Sequence, residues 1–146
     1  MIDITFLQNL VDYGIIGLLG FMSFLTLWFW IERLLFFKQI KLEKFTCKKE
    51  LEIALSNNTT ILSTFGANAP YIGLLGTVVS IIITFYILGV NGNIDVKHIM
   101  TSLALALKAT AMGLVVAIPA IFFYNHLSRK IDVILTKWEI LHEKTV

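Results

Sequence analysis

Residues 69–90 read APYIGLLGTVVSIIITFYILGV, a run with no charged side chain. An α-helix rises about 1.5 Å per residue, so a run of this length reaches across the ~30 Å hydrocarbon core of a bilayer. It lies inside a longer uncharged interval bounded by Glu52 and Asp95. Two further stretches share the character: Tyr13 to Ile31 has no charge, and Ile99 to Tyr124 has only Lys108. Composition points the same way. With 57% of 146 residues apolar, 15% charged and a mean hydropathy of +0.80, there are too few charges to coat a soluble domain of this size. The fold expected is all-α: a polytopic membrane protein with three transmembrane helices extended by cytoplasmic helices.

The chain divides accordingly. Residues 1–12 place Ile2, Phe6, Leu10 and Val11 at near-helical spacing among Asp3, Gln8, Asn9 and Asp12, an interfacial amphipathic helix. Spans follow at 13–31, 69–90 and 99–124, separated by a cytoplasmic helical loop (32–68) and an outer turn (91–98, with Asn91, Gly92 and Asn93). Residues 125–146 form a cytoplasmic helical tail. Tyr13, Trp28 and Trp30 mark the two ends of the first span, where amphipathic rings favour the headgroup zones.

Orientation follows from Lys and Arg. The first segment has none, and the turn between spans two and three has only Lys97. The loop has Arg33, Lys38, Lys41, Lys44, Lys48 and Lys49, and the tail has Arg129, Lys130, Lys137 and Lys144. Basic residues stay inside, so the N-terminus is expected outside and the C-terminus in the cytoplasm. Asp3 and Asp12 with no basic residue among the first thirteen are the opposite of a signal peptide's basic start, so the first span is expected to stay in the membrane. Cys47 is the only cysteine, which excludes an intramolecular disulfide. In the tail, Leu127, Ile131, Ile134, Trp138 and Leu141 recur four, three, four, three apart, a heptad-like seam. The stretch Ser56-Asn57-Asn58-Thr59-Thr60 reads as a polar break.

Inert anchors are Leu and Ile throughout, whereas these spans carry polar and small residues. The second has Gly73, Gly76, Thr77, Ser80 and Thr84, with Thr77 and Thr84 within about 20° of each other on a helix. The third has Thr110, Gly113 and Pro119 among alanines at 104, 106, 109, 111 and 117. Small residues let backbones approach, and hydroxyls bond across helices or back to the i−4 carbonyl. These faces are expected to pack helices and to close a ring of copies. Lys108 stands alone. An ammonium near a span centre costs about 2.5–3.5 kcal/mol on insertion scales, so it needs a cavity, a partner or a path to the headgroups. With span one drawn from Tyr13, no Asp or Glu lies within the spans, and a carboxylate for proton exchange would have to come from a second protein. His98, His126 and His142 lie on separate segments, which gives no metal cluster. No nucleophile–base arrangement, cofactor motif or nucleic-acid footprint is present, so an enzyme ranks last.

Two segments carry a family resemblance. Ala69-Pro-Tyr-Ile-Gly-Leu-Leu-Gly-Thr-Val78, followed by Thr84-Phe85, resembles the second-span signature of the TolQ/ExbB/MotA proton-channel family. Ala104 to Ala120, ending in Tyr124-Asn125, resembles its third-span signature. Three spans rather than four put the chain nearer the ExbB and TolQ branches than MotA. The resemblance implies a bacterial inner-membrane homo-oligomer, a pentamer, whose second and third helices surround single spans of an ExbD-like partner bearing a proton-exchanging aspartate. A TonB-like transducer would then carry the energy to outer-membrane uptake. It also implies that Thr77 and Thr110 line the pore, with Ser80 and Thr84 along the same path, while Gly73, Gly76, Gly113 and Pro119 shape helix packing. A TolQ-like role in envelope integrity and a passive scaffold are the alternatives. Two departures stand out: Leu105 occupies a position where many relatives have Glu, and Lys108 one that is usually apolar. The chain is also short for the family, in its N-terminus and first cytoplasmic loop.

Overall fold

The computed structural model describes residues 4–91 and 96–143. All are helical or in short connections, with no strand among the described residues. The order is α1 (Ile4–Gln39), a single 3₁₀ turn (Leu42–Lys44), α2 (Lys48–Ser56), α3 (Thr59–Asn91) and α4 (Val96–Glu143). Helices α1, α3 and α4 are each long and apolar enough to cross a membrane. Residues 1–3 of the expected surface helix, 92–95 of the outer turn and 144–146 of the tail lie outside the described residues. Residues 4–12 continue into the first span as one helix, since nothing between them and Gln39 breaks it.

Helices α3 and α4 form a long antiparallel hairpin, and α1 lies against both. The end bearing the α3–α4 turn is the turn end; α1 and α4 extend beyond the other, the extension end. Leu19, Met22, Ala69, Val116 and Ala117 form the central cluster, with Ile15, Phe65, Ile72 and Met112 packed on it. Much of what surrounds it is bare apolar surface: Phe21, Phe24, Trp28, Ile82, Phe85, Ile118 and Phe122 are all more than half exposed. Such a belt suits lipid or further copies, not water. Trp28 faces outward, whereas Trp30 turns inward and stacks on Phe123 of α4, ring centroids 4.3 Å apart.

Proline interrupts neither α3 nor α4. Pro70 and Pro119 sit inside them, each removing one i→i−4 donor; membrane helices tolerate this where neighbouring helices and hydroxyls satisfy the freed carbonyl.

At the extension end the expected polar break is where α2 stops and α3 begins. Asn58 takes a left-handed φ of 62° there, and Thr59 Oγ1 donates to the Ser56 carbonyl at 2.6 Å. Asn58 also donates to the Glu32 carboxylate, which pairs with Arg33. Buried Arg33 donates to the Ala54 carbonyl at 3.3 Å, so one charged group of α1 grips the elbow between α2 and α3. Below it Leu51, Leu55, Ile131 and Trp138 form a second cluster with Phe37, Ile40 and Phe45. The predicted tail seam is buried at Leu127, Ile131 and Trp138, but Leu141 is 51% exposed and lies outside the cluster.

Candidate functional site

The site begins with two glycines. Gly73 of α3 and Gly113 of α4 lie backbone against backbone. A Cβ on Gly73 would stand 2.6 Å from the Ala109 carbonyl oxygen, and one on Gly113 2.6 Å from that of Ala69. No side chain fits there, and that is what lets the two helices approach. Because the helices are antiparallel, one turn along α3 from Gly73 and one turn back along α4 from Gly113 reach the same level. Thr77 and Thr110 occupy those positions, and their hydroxyls meet at 2.5 Å. Thr77 Oγ1 can also donate to the Ala106 carbonyl across the seam (3.1 Å) or to Gly73 on its own helix (3.3 Å), and Thr110 Oγ1 reaches Gly73 at 3.4 Å. Two hydroxyls thus share a few carbonyls, and each can donate to or accept from the other or a visiting group. Thr77 is buried in the seam, whereas Thr110 is half-buried and reaches the surface of the single chain.

One turn nearer the turn end the neighbours change. Gly76 backs onto α1, where a Cβ would meet Ile15 Cδ1 at 2.8 Å and Ala109 Cβ at 2.9 Å. Buried Ser80 donates to Asp12 Oδ1 at 2.9 Å, and Thr84, also buried, donates to the Ser80 carbonyl at 2.8 Å. These two hydroxyls therefore turn into the bundle, toward α1 and their own helix, and not onto an open face of the chain. Beside them, between α1 and α4, lies a cavity of about 190 Å³ lined by Asn9, Asp12, Tyr13, Ile16, Leu105, Lys108 and Ala109. Lys108 is exposed in the single chain and borders this cavity. Pro119 is exposed further along α4, beside a groove it shares with Ser23, Thr26 and Phe123.

Two differences from the sequence reading matter. The small-residue faces of α3 and α4 meet each other within one chain, backbone against backbone at Gly73 and Gly113. And Asp12, assigned from sequence to a surface segment, is a carboxylate held by a buried serine of α3. Its signal was faint: it is the last charge before an uncharged run. Only the register of α1 against α3 reveals its partner.

Three long apolar helices with a hydroxyl-bearing seam define a multi-pass membrane protein of the transport kind, and the chain belongs to the MotA/TolQ/ExbB proton channel family, whose model matches residues 31–140. Its relatives are ExbB proteins. It is 54% identical over 136 residues to the ExbB-like 2 protein of Helicobacter pylori, covering 93% of this chain and 91% of that one. It is 51% identical over 136 residues to the biopolymer transport protein ExbB of Aquifex aeolicus, covering 93% and 92%. A further ExbB of Helicobacter pylori is 47% identical over 139 residues, covering 95% and 96%. Against these relatives the chain is of ordinary length.

Proposed function

We propose that the chain is an ExbB-like subunit that, with a single-span ExbD-like partner, harnesses the proton motive force to energise TonB-dependent uptake across the outer membrane. The observation that carries this is the Thr77–Thr110 hydroxyl pair, 2.5 Å apart, on the two helices that carry the family's signatures. A partner's carboxyl group brought to this seam meets two hydroxyls that orient it and share its proton. In this reading several copies, five by family resemblance, surround the partner in a bacterial inner membrane. The turn end faces the periplasm, since all its basic residues amount to Lys97, and the extension end faces the cytoplasm. The names of the relatives favour this over a TolQ-like role.

Thr→Val keeps shape and deletes only the hydroxyl, which separates chemistry from packing. Thr77→Val/Thr110→Val should assemble normally and lose most proton-driven uptake, while Thr→Ser at both positions retains much more. Normal uptake in the double Val variant would remove the pair from the mechanism and leave a packing scaffold. Orientation has its own check. Exposed Cys47 should resist a membrane-impermeant maleimide in sealed cells and react once the inner membrane is opened. Ready labelling of sealed spheroplasts would invert the topology.

A further inference from the structure

We infer that Asp12 is the intramembrane counter-ion of Lys108, acting across a hydrated cavity, and that with Ser80 the couple positions α1 against the threonine pair. The three residues lie at one level of the bundle. The Ser80–Asp12 hydrogen bond joins α3 to α1 there, and Asp12 and Lys108 line one cavity between α1 and α4. Within a membrane-spanning bundle a lone ammonium or a lone carboxylate is costly, and each is the nearest remedy for the other. Both line the same cavity, with Asn9 and the phenol-bearing Tyr13. Its ~190 Å³ far exceeds the 10–15 Å³ or so that one water needs, and its polar groups supply the partners that hold water there.

The polar and charged groups facing the Asp12 carboxylate are few, and Lys108 alone among them is charged. From its own helix come Asn9 and Tyr13, from α3 Ser80, and from α4 Lys108. Among the described residues the direct ion pairs are Arg33–Glu32 and Lys48–Glu139, so Asp12 and Lys108 stand beyond ion-pair distance and the proposed link runs through the cavity that both line. The Ser80 hydroxyl, itself 2% exposed, fixes one carboxylate oxygen. Ser80 lies one turn from Thr77 on α3, and Ala109 in the cavity wall precedes Thr110 on α4. A shift of α1 at this level is therefore felt at the hydroxyl pair. The couple itself depends on geometry alone; only its effect on uptake rests on the function proposed above.

The test is a charge cycle on the full-length protein in its native membrane, read as the amount of detergent-stable oligomer and, separately, as uptake. Asp12→Asn and Lys108→Gln should each lower the assembled protein about tenfold, because each strands one charge at depth. The Asp12→Asn/Lys108→Gln double variant should recover most of it, as should the swap Asp12→Lys/Lys108→Asp, even where a single variant fails to accumulate at all. The conservative Asp12→Glu should stay near wild type. A double variant no better than the worse single, or two harmless singles, overturns the inference. So does a harmless Asp12→Asn beside a damaging Lys108→Gln, which would assign the ammonium to a lipid phosphate. Coupling in the oligomer with no proton-driven uptake in the wild type would instead leave the couple standing and sink the function.

Discussion

Helix α4 runs through two clusters built on opposite terms. At the Gly73–Gly113 seam the contact consists of backbone, alanines and hydroxyls; at the extension end Trp138 lies among Leu51, Leu55 and Ile131. In the topology proposed above, the difference follows from the solvent each faces. Lipid tails are as apolar as leucine, so burying a large side chain between spans gains little; close van der Waals approach and cross-helix hydrogen bonds hold them together. In water the apolar area itself drives burial, and a tryptophan is worth its size. One sequence, read along one helix, switches from Ala and Gly every few residues to Leu, Ile and Trp at heptad spacing where the proposed membrane ends. The two regions should therefore break in different ways.

The largest effect is expected at the seam. Gly113→Leu or Gly73→Leu would drive a side chain into a carbonyl oxygen 2.6 Å from the nearest Cβ position, and backbone on both sides cannot yield. Either variant should abolish the proposed detergent-stable assembly when it is assayed by native mass spectrometry, and even Gly73→Ala should weaken it. Gly76→Ala sharpens the point. Its Cβ meets the tip of Ile15, which can rotate, and the Ala109 methyl at 2.9 Å, which must shift but is not a backbone carbonyl, so it should assemble better than Gly73→Ala. Equal loss in both would mean that the close approach of α3 and α4 is not what holds the spans.

Next comes the aqueous cluster. Trp138 is 8% exposed, and its indole Nε1 donates to the Phe45 carbonyl at 3.0 Å, tying the 3₁₀ connection to α4. Trp138→Ala should cost the extension about 3–5 kcal/mol, the range for deleting a buried tryptophan. Faster proteolysis between residues 40 and 57, with oligomer and spans intact, is the expected readout. Trp138→Phe keeps most of the apolar area and loses the hydrogen bond, about 1 kcal/mol. If Trp138→Ala instead dissolved the oligomer, the two clusters would be one cooperative unit.

The spans were legible because length and missing charge report the solvent directly: 13–31, 69–90 and 99–124 each fall within one of the three long helices. The polar break was legible too, since Asn58 tolerates the left-handed turn it makes. The tail seam could be read through Trp138 and failed at Leu141, because periodicity says which face is apolar and not how far its partner extends. The glycines announced close packing without saying against what, and the answer is each other within one chain. The partner of Asp12 was hidden for a related reason. A charge eight residues into a helix looks like a surface residue until another helix supplies Ser80.

The smallest effect belongs to the ion pair that, among the described residues, bridges the start of α2 and α4. Lys48 Nζ lies 2.6 Å from Glu139 Oε1, with the side chains 48% and 42% exposed. The hydrogen bond that the Lys48 ammonium donates to Glu139, followed by the charge of that carboxylate, raises the Lys48 pKa above the ordinary lysine value. A raised lysine pKa stabilises the fold fully below the unfolded-state pKa, and the contribution is lost as pH rises through the folded value. At neutral pH the pair therefore contributes all it can, and because water and salt screen an exposed pair, that is little. Glu139→Gln should leave the unfolding of the extension, followed by tryptophan fluorescence, within measurement error of wild type at pH 7 and moderate salt. A small difference should emerge at low salt and vanish again above the lysine range. A large destabilisation at neutral pH would show that the extension leans on charge as well as on its buried tryptophan, and the contrast with the seam would have to be redrawn on electrostatic lines.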